Sequence, residues 1–150
     1  MTGSLLSCAD SSLAYTRDMG DFDLDTRVER VDGDPGRYRG VLSPDWAVWG
    51  PMGGYVAALA LRAIAGASPL RRFATFACQF LAVGRFEPVE IEVHPLASGK
   101  RAHAHRAVVL QAGKPLLAAS AWTVADELAG FEHVAAERPA VSGPDGVRSS

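Results

Sequence analysis

Trp49-Gly50-Pro51-Met52-Gly53-Gly54-Tyr55-Val56-Ala57-Ala58-Leu59-Ala60-Leu61-Arg62-Ala63-Ile64-Ala65-Gly66 holds the longest apolar run of the chain, Tyr55 to Leu61. From Val56 to Ala65 nearly every position is apolar, and its alanines and leucines favour helix. A helix that is apolar all round has no face for water and belongs inside the molecule. Arg62 is its one charge and is expected to snorkel or to pair near the end. Gly66 and Pro69 mark the stop. The run is far shorter than the roughly 20 residues a bilayer requires, so protein rather than lipid must enclose it.

Working outward, the flanking segments read as strands. Upstream, Asp23 to Val31 alternates weakly, with Leu24, Thr26, Val28 and Arg30 on one face. Gly33-Asp34-Pro35-Gly36 is a turn, and Arg37 to Leu42 returns as the second strand of a hairpin, ended by Ser43-Pro44-Asp45-Trp46. Downstream, Phe73 to Val83 sets Ala74, Phe76, Cys78, Phe80 and Ala82 on one face. Val89, Ile91 and Val93 alternate with Glu90, Glu92 and His94. Ser98-Gly99-Lys100 and Ala112-Gly113-Lys114 are turns, so Arg101 to Gln111 and Pro115 to Val124 complete a meander of long antiparallel strands. The expected class is α+β, a long antiparallel sheet wrapped around one buried helix. The expected organisation is a flexible N-terminal segment (1–20), one domain (21–128) and a linker-like tail (129–150) rich in Pro, Gly and Ser.

The whole chain has 150 residues, enough for one domain. With 48% hydrophobic and 21% charged residues it has globular rather than disordered composition. Its net charge of −2 argues against nucleic-acid binding, and no segment reads as a membrane span or a signal peptide. Cys8 and Cys78 form no CxxC pair, which fits a reducing cytoplasm. No Gly-x-Ser-x-Gly elbow, phosphate loop or dinucleotide fingerprint is present.

Taken in order, Gly53-Gly54 opening an Ala/Leu helix, Phe76 to Val83, Val89-Glu-Ile-Glu-Val93, Ser98 to Arg106 and Lys114 to Trp122 resemble the acyl-CoA thioesterase II-like branch of the thioesterase superfamily. The resemblance spans about residues 22–126 and implies a hotdog fold. It also implies hydrolysis of a coenzyme A thioester to a free acid and CoA, with no cofactor besides the substrate. The enzymes this chain resembles are about twice as long and fuse two hotdog units. Their catalytic Asp, Thr and Gln lie mainly in the second unit, whereas this chain resembles the first. The helix acid would fall at Ala57-Ala58 and the glutamine near Trp122, and neither residue type is there. The resemblance therefore implies a homodimer or a paired second hotdog unit. The alternative is a non-catalytic acyl-CoA-binding or assembly half. A hotdog dehydratase needs a histidine near the helix, and none lies between Met1 and Ile91.

Gly53 and Gly54 let backbone approach a ligand, and N–H groups near Gly54 and Tyr55, at a helix N-terminus, can stabilise an oxyanion. They can equally serve a tight turn into the helix. Asp45 is the nearest upstream acid and the candidate base, or else a turn residue bonding its own backbone. Trp49 and Met52, with Trp46 and Tyr55, can shape an acyl pocket or pack the helix entry. Thr75 and Gln79 share a strand face that can line a cleft between paired units. Arg101 and His103, with His105 on the same face and Lys100 and Arg106 nearby, can meet the phosphates of coenzyme A, or form a solvated hairpin end. The histidines lack the companions of a metal site, and no metal is expected. His94 and His133 are isolated.

Overall fold

The structure is a computed structural model that describes residues 20–140 apart from 129, 132 and 138. The expectations for residues 1–19 and for 141–150 lie outside the described residues. Among those described, the elements are α1 (Phe22–Asp25), β1 (Glu29–Arg30), β2 (Arg37–Val41), a 3-10 turn (Pro44–Trp46), α2 (Gly53–Ala67), β3 (Arg72–Phe80), β4 (Pro88–Ser98), β5 (Ala102–Gln111) and β6 (Lys114–Val124). The strands form one antiparallel sheet in the order β1-β2-β4-β5-β6-β3, and α2 packs on one face of it. This is the α+β architecture expected from the sequence.

The core follows from the period-2 alternation of the strands. Val89, Ile91 and Val93 of β4, Ala107 and Val109 of β5, and Leu117, Ala119 and Ala121 of β6 all point at α2 and are buried. Against them α2 sets Leu59, Ala60, Ala63 and Ile64, each with no exposed surface. Two glycines bring helix and sheet this close. A Cβ on Gly40 of β2 would sit 2.8 Å from Leu59 Cδ2, and one on Gly66 of α2 would sit 3.1 Å from the Tyr38 ring.

Five expectations are corrected. Asp23 to Val31 is not one strand, because the Asp21 carboxylate accepts the N–H groups of Asp23 and Leu24 and caps a short helix instead. Only Glu29–Arg30 pairs, with β2. α2 begins at Gly53 and runs through Gly66 to Ala67. It is not enclosed on every side, since Ala58, Leu61 and Ala65 face away from the sheet and stay partly or fully exposed. Arg62, on the same side, pairs with Asp23 of α1. In β3 the register slips between Phe73 and Thr75, so Phe73 rather than Ala74 reaches the core. Finally, the meander covers only β4-β5-β6. β4 has β2 and β5 on its two sides, which leaves β3 to pair with β6 at the sheet edge.

The close approach at Gly40 can be tested. Gly40→Val forces branched carbons into the space held by Leu59 and should destabilise the fold by about 1–3 kcal/mol, the usual range for overpacking. Urea unfolding should show a lower midpoint with an unchanged slope.

Candidate functional site

The N-terminus of α2 is left open by its own sequence. Met52 N–H is taken by Trp46 O at 3.0 Å, and the first bond of the helix runs from Val56 N–H to Met52 O at 3.1 Å. No side chain caps the helix. The N–H groups of Gly53, Gly54 and Tyr55 thus have no acceptor among the described residues. Serine, threonine or aspartate would have served as a cap, but Met52 stands at that position. A Cβ at Gly53 would lie 3.0 Å from the Phe80 ring, so that glycine admits the end of β3 against the helix. At Gly54 nothing lies within 4 Å.

Beside these amides is a cavity of about 650 Å³. The loop Val48–Met52, Gly53 and Val56 of α2, Phe80 with the following Leu81–Gly84, and Leu116 of β6 form its walls. Every side chain among them is apolar, and none can ionise. Trp49 and Met52 are among its lining residues, with Trp49 93% exposed at the rim. The Leu81–Gly84 wall, Val56 and Leu116 were not foreseen. The only hint is that the sequence carries no charge from Phe73 to Gly84.

Asp45 and the Tyr55 side chain have other partners. The Asp45 N–H donates to Ser43 Oγ at 3.3 Å, and Asp45 Oδ2 accepts from the same hydroxyl at 3.3 Å. Asp45 is exposed and does not line the cavity. Tyr55 is buried, its Oη accepting from Ser43 N–H at 3.0 Å and lying 2.9 Å from Asp25 O and 3.0 Å from Val41 O. Trp46 stacks on the Tyr55 ring and donates from Nε1 to Asp25 Oδ2 at 2.9 Å. Burial, chiefly, raises the pKa of the Tyr55 phenol, which works here as a strut. The part of Tyr55 available at the site is its N–H.

The remaining candidates lie elsewhere. Thr75 and Gln79 are exposed on the edge strand, on the face turned away from α2 and opposite Trp122 and Ala118. Arg101 and His103 are at the far end of the sheet, roughly 26–33 Å along the chain from the Gln111 end of β5 at about 3.3 Å per residue. Arg106 is exposed while its neighbour His105 is buried, so the two point to opposite faces. His105 is 3% exposed, its ring stacks on His103, and its Nδ1 has no partner. The Ser68 and Thr123 hydroxyls, 2.8 Å apart, are buried at the same end of the sheet. These residues do not form a basic cluster at the cavity. Among the described residues no group of His, Cys, Asp and Glu could hold a metal ion, and no helix is long and apolar enough to cross a membrane.

Comparison with known proteins bears on the same elements. Residues 42–124 match the family model described as the acyl-CoA thioesterase N-terminal domain. No curated protein sequence matches significantly. Among solved structures, a TesB protein from Mycobacterium avium subsp. paratuberculosis is 26% identical with a TM-score of 0.69, over 85% of this chain and 49% of that one. A hotdog-fold protein from Alicyclobacillus acidocaldarius is 25% identical with a TM-score of 0.71, over 83% of this chain and 46% of that one. An acyl-CoA thioesterase II from Mycobacterium marinum shares the fold at 23% identity with a TM-score of 0.69, over 84% and 46%. This chain thus spans about half the length of these proteins.

The buried His105 makes stability depend on pH. Desolvation first, and then the neighbouring His103, hold its pKa below the ordinary 6.5. Above about 6.5 neither the folded nor the unfolded chain is protonated there, and the contribution is intact. As pH falls through 6.5 the unfolded chain binds a proton that the folded one resists, and stability drops. The urea midpoint should fall between about pH 7.5 and 5.5, and His105→Leu should flatten that slope.

Proposed function

The chain belongs to the acyl-CoA thioesterase N-terminal domain family, and on that premise we propose that it takes part in hydrolysing an acyl-CoA thioester to a free acid and coenzyme A. The observation that carries this reading is the uncapped start of α2, with the N–H groups of Gly53, Gly54 and Tyr55 unclaimed among the described residues, beside a cavity walled by apolar side chains. The acyl group enters the cavity, and the thioester carbonyl lies at the helix N-terminus. As water attacks, negative charge develops on the carbonyl oxygen, where fixed backbone donors and the helix dipole stabilise it. Water and substrate suffice, and no cofactor is required.

The attacking water needs a base, and the lining of the cavity contains none. In this reading the base comes from a second hotdog unit, either another copy or a paired unit, and Asp45 shapes the loop before the helix. Two features favour such a partner. One edge of the sheet, β1, is short and charged, with Glu29 and Arg30, as protected edges are. The other edge, β3, carries no charge after Arg72, and the chain stays uncharged to Gly84. The exposed apolar face of α2, with Ala58, Leu61 and Ala65, would also be covered by pairing. Arg101, His103, Arg106, Thr75 and Gln79 then belong to surfaces that a second unit or the coenzyme portion could reach. The free thiol of Cys78 fits a cytoplasmic setting.

Free-thiol release from acyl-CoAs of increasing chain length tests the reading. Gly54→Pro removes one donor at a first-turn position where proline is tolerated. It should lower kcat by about 100-fold or more. Gly54→Ala keeps the N–H in open space and should retain activity. Equal activity in the two variants would remove the helix N-terminus from the mechanism. Asp45→Asn should keep kcat near wild type, and its loss would make Asp45 the base. Acyl-CoA binding without turnover would assign the isolated chain to the non-catalytic role.

A further inference from the structure

One wall of the cavity, Leu81–Gly84, belongs to the connection between β3 and β4, which has no regular secondary structure of its own. At its near end Leu81 and Ala82 both donate their N–H groups to Leu116 O, at 2.8 and 3.2 Å. Past Gly84 the backbone is held by one side chain, Gln111. Its Oε1 accepts from Arg85 N–H at 2.8 Å, and its Nε2 donates to Arg85 O at 2.9 Å and to Glu87 O at 3.4 Å. Among the described residues no other side chain hydrogen-bonds the backbone of this connection. Glu87 O also accepts from Leu42 N–H at 3.2 Å, so the same point is tied to the end of β2.

We propose that Gln111 is a positioning residue that sets the Leu81–Gly84 wall and thereby decides which length of acyl group the cavity admits. Its place in the fold suits that task. It is the last residue of β5, followed by a two-residue turn, Ala112-Gly113, with positive φ angles of 48° and 76°. Such a turn matches the twist of its strands and makes a firm hairpin tip. A carboxamide is also the group the task requires. It offers an acceptor to one backbone N–H and donors to two carbonyls at once. Glutamate would keep the acceptor and place negative charge against both carbonyls, and leucine would supply neither function.

The wall is coupled to the opposite lip. A Cβ on Gly50 would lie 2.9 Å from Val83 Cγ1, so the two sides of the cavity all but touch there. Gly84 is similarly tight, since a Cβ on it would lie 2.8 Å from Leu116 Cδ1 and 3.1 Å from Leu42 Cδ1. A released wall therefore changes the width of the cavity and leaves the N–H groups of α2 where they are. The proposal rests on the thioesterase reading only for the identity of the ligand as an acyl group.

The test compares the full wild-type chain with Gln111→Leu and Gln111→Glu. Thermal unfolding and circular dichroism should remain close to wild type, because the amide lies at the surface of a hairpin end. Hydrogen exchange at Arg85 N–H should speed up about tenfold in Gln111→Leu, which removes its acceptor. Binding of octanoate, dodecanoate and hexadecanoate, read by displacement of an apolar fluorophore, should show a preferred length in wild type. That preference should shrink by about tenfold in both variants. An unchanged length profile overturns the proposal, as does unchanged exchange or failure of the wild type to bind any of the three acids. A changed profile in a protein that cleaves no thioester upholds the proposal and removes the hydrolytic reading instead.

Discussion

The close packing of α2 on the sheet holds this fold together. An apolar helix gains stability from every side chain it withdraws from water, at about 25 cal/mol per Å² of apolar area. Leu59, Ala60, Ala63 and Ile64 reach complete burial because Gly40 and Gly66 let helix and strand approach beyond the ordinary side-chain limit. Strand burial, register and the direction of α2 follow from that contact. So does the position of the helix start, held by the Tyr55 phenol against Ser43, Asp25 and Val41.

The same helix has two unlike ends. Its C-terminal end meets a buried polar corner, with Ser68, Thr123 and His105. Its N-terminal end has three amides unclaimed among the described residues and a cavity walled by apolar side chains. Unpaired donors beside hydrocarbon are unfavourable unless a ligand or water takes them up. That imbalance makes the N-terminal end the better candidate for chemistry. The edges differ in a parallel way: β1 is short and charged, while β3 is long and uncharged after Arg72. The cavity mouth is apolar, the β3 edge exposes Thr75 and Gln79 but no charge after Arg72, and the outward face of α2 sets Ala58, Leu61 and Ala65 beside Arg62.

Much of the fold was legible because periodicity reports burial. Val89 to Val93 and the two downstream turns read correctly, since half-buried strands must alternate and tight turns need special residues. Asp23 to Val31 misled because weak alternation cannot compete with a carboxylate that caps the next two amides. Ala74 misled because a register slip resets which residue faces the core. For the site, Gly53, Gly54, Trp49 and Met52 were legible as local sequence around a helix start. Asp45 lies near them in sequence but bonds Ser43, and the basic hairpin end stands at the opposite end of β5. Gln111 and the Leu81–Gly84 wall had no local signature, because their meeting depends on long-range contact.

One apolar helix buried against antiparallel strands, two glycines opening it, and no acid or histidine along it are all readable from Gly53 to Val124 as plain sequence. These are properties of composition and spacing within single elements, where side-chain chemistry and backbone period suffice. Only the tertiary structure decided that β3 would stand at an edge, that Phe80–Gly84 would meet the start of α2, and that a glutamine from a distant hairpin would hold that wall. Those outcomes depend on which strand faces which. Strand pairing is chosen by the simultaneous burial of the whole apolar face and not by any one segment.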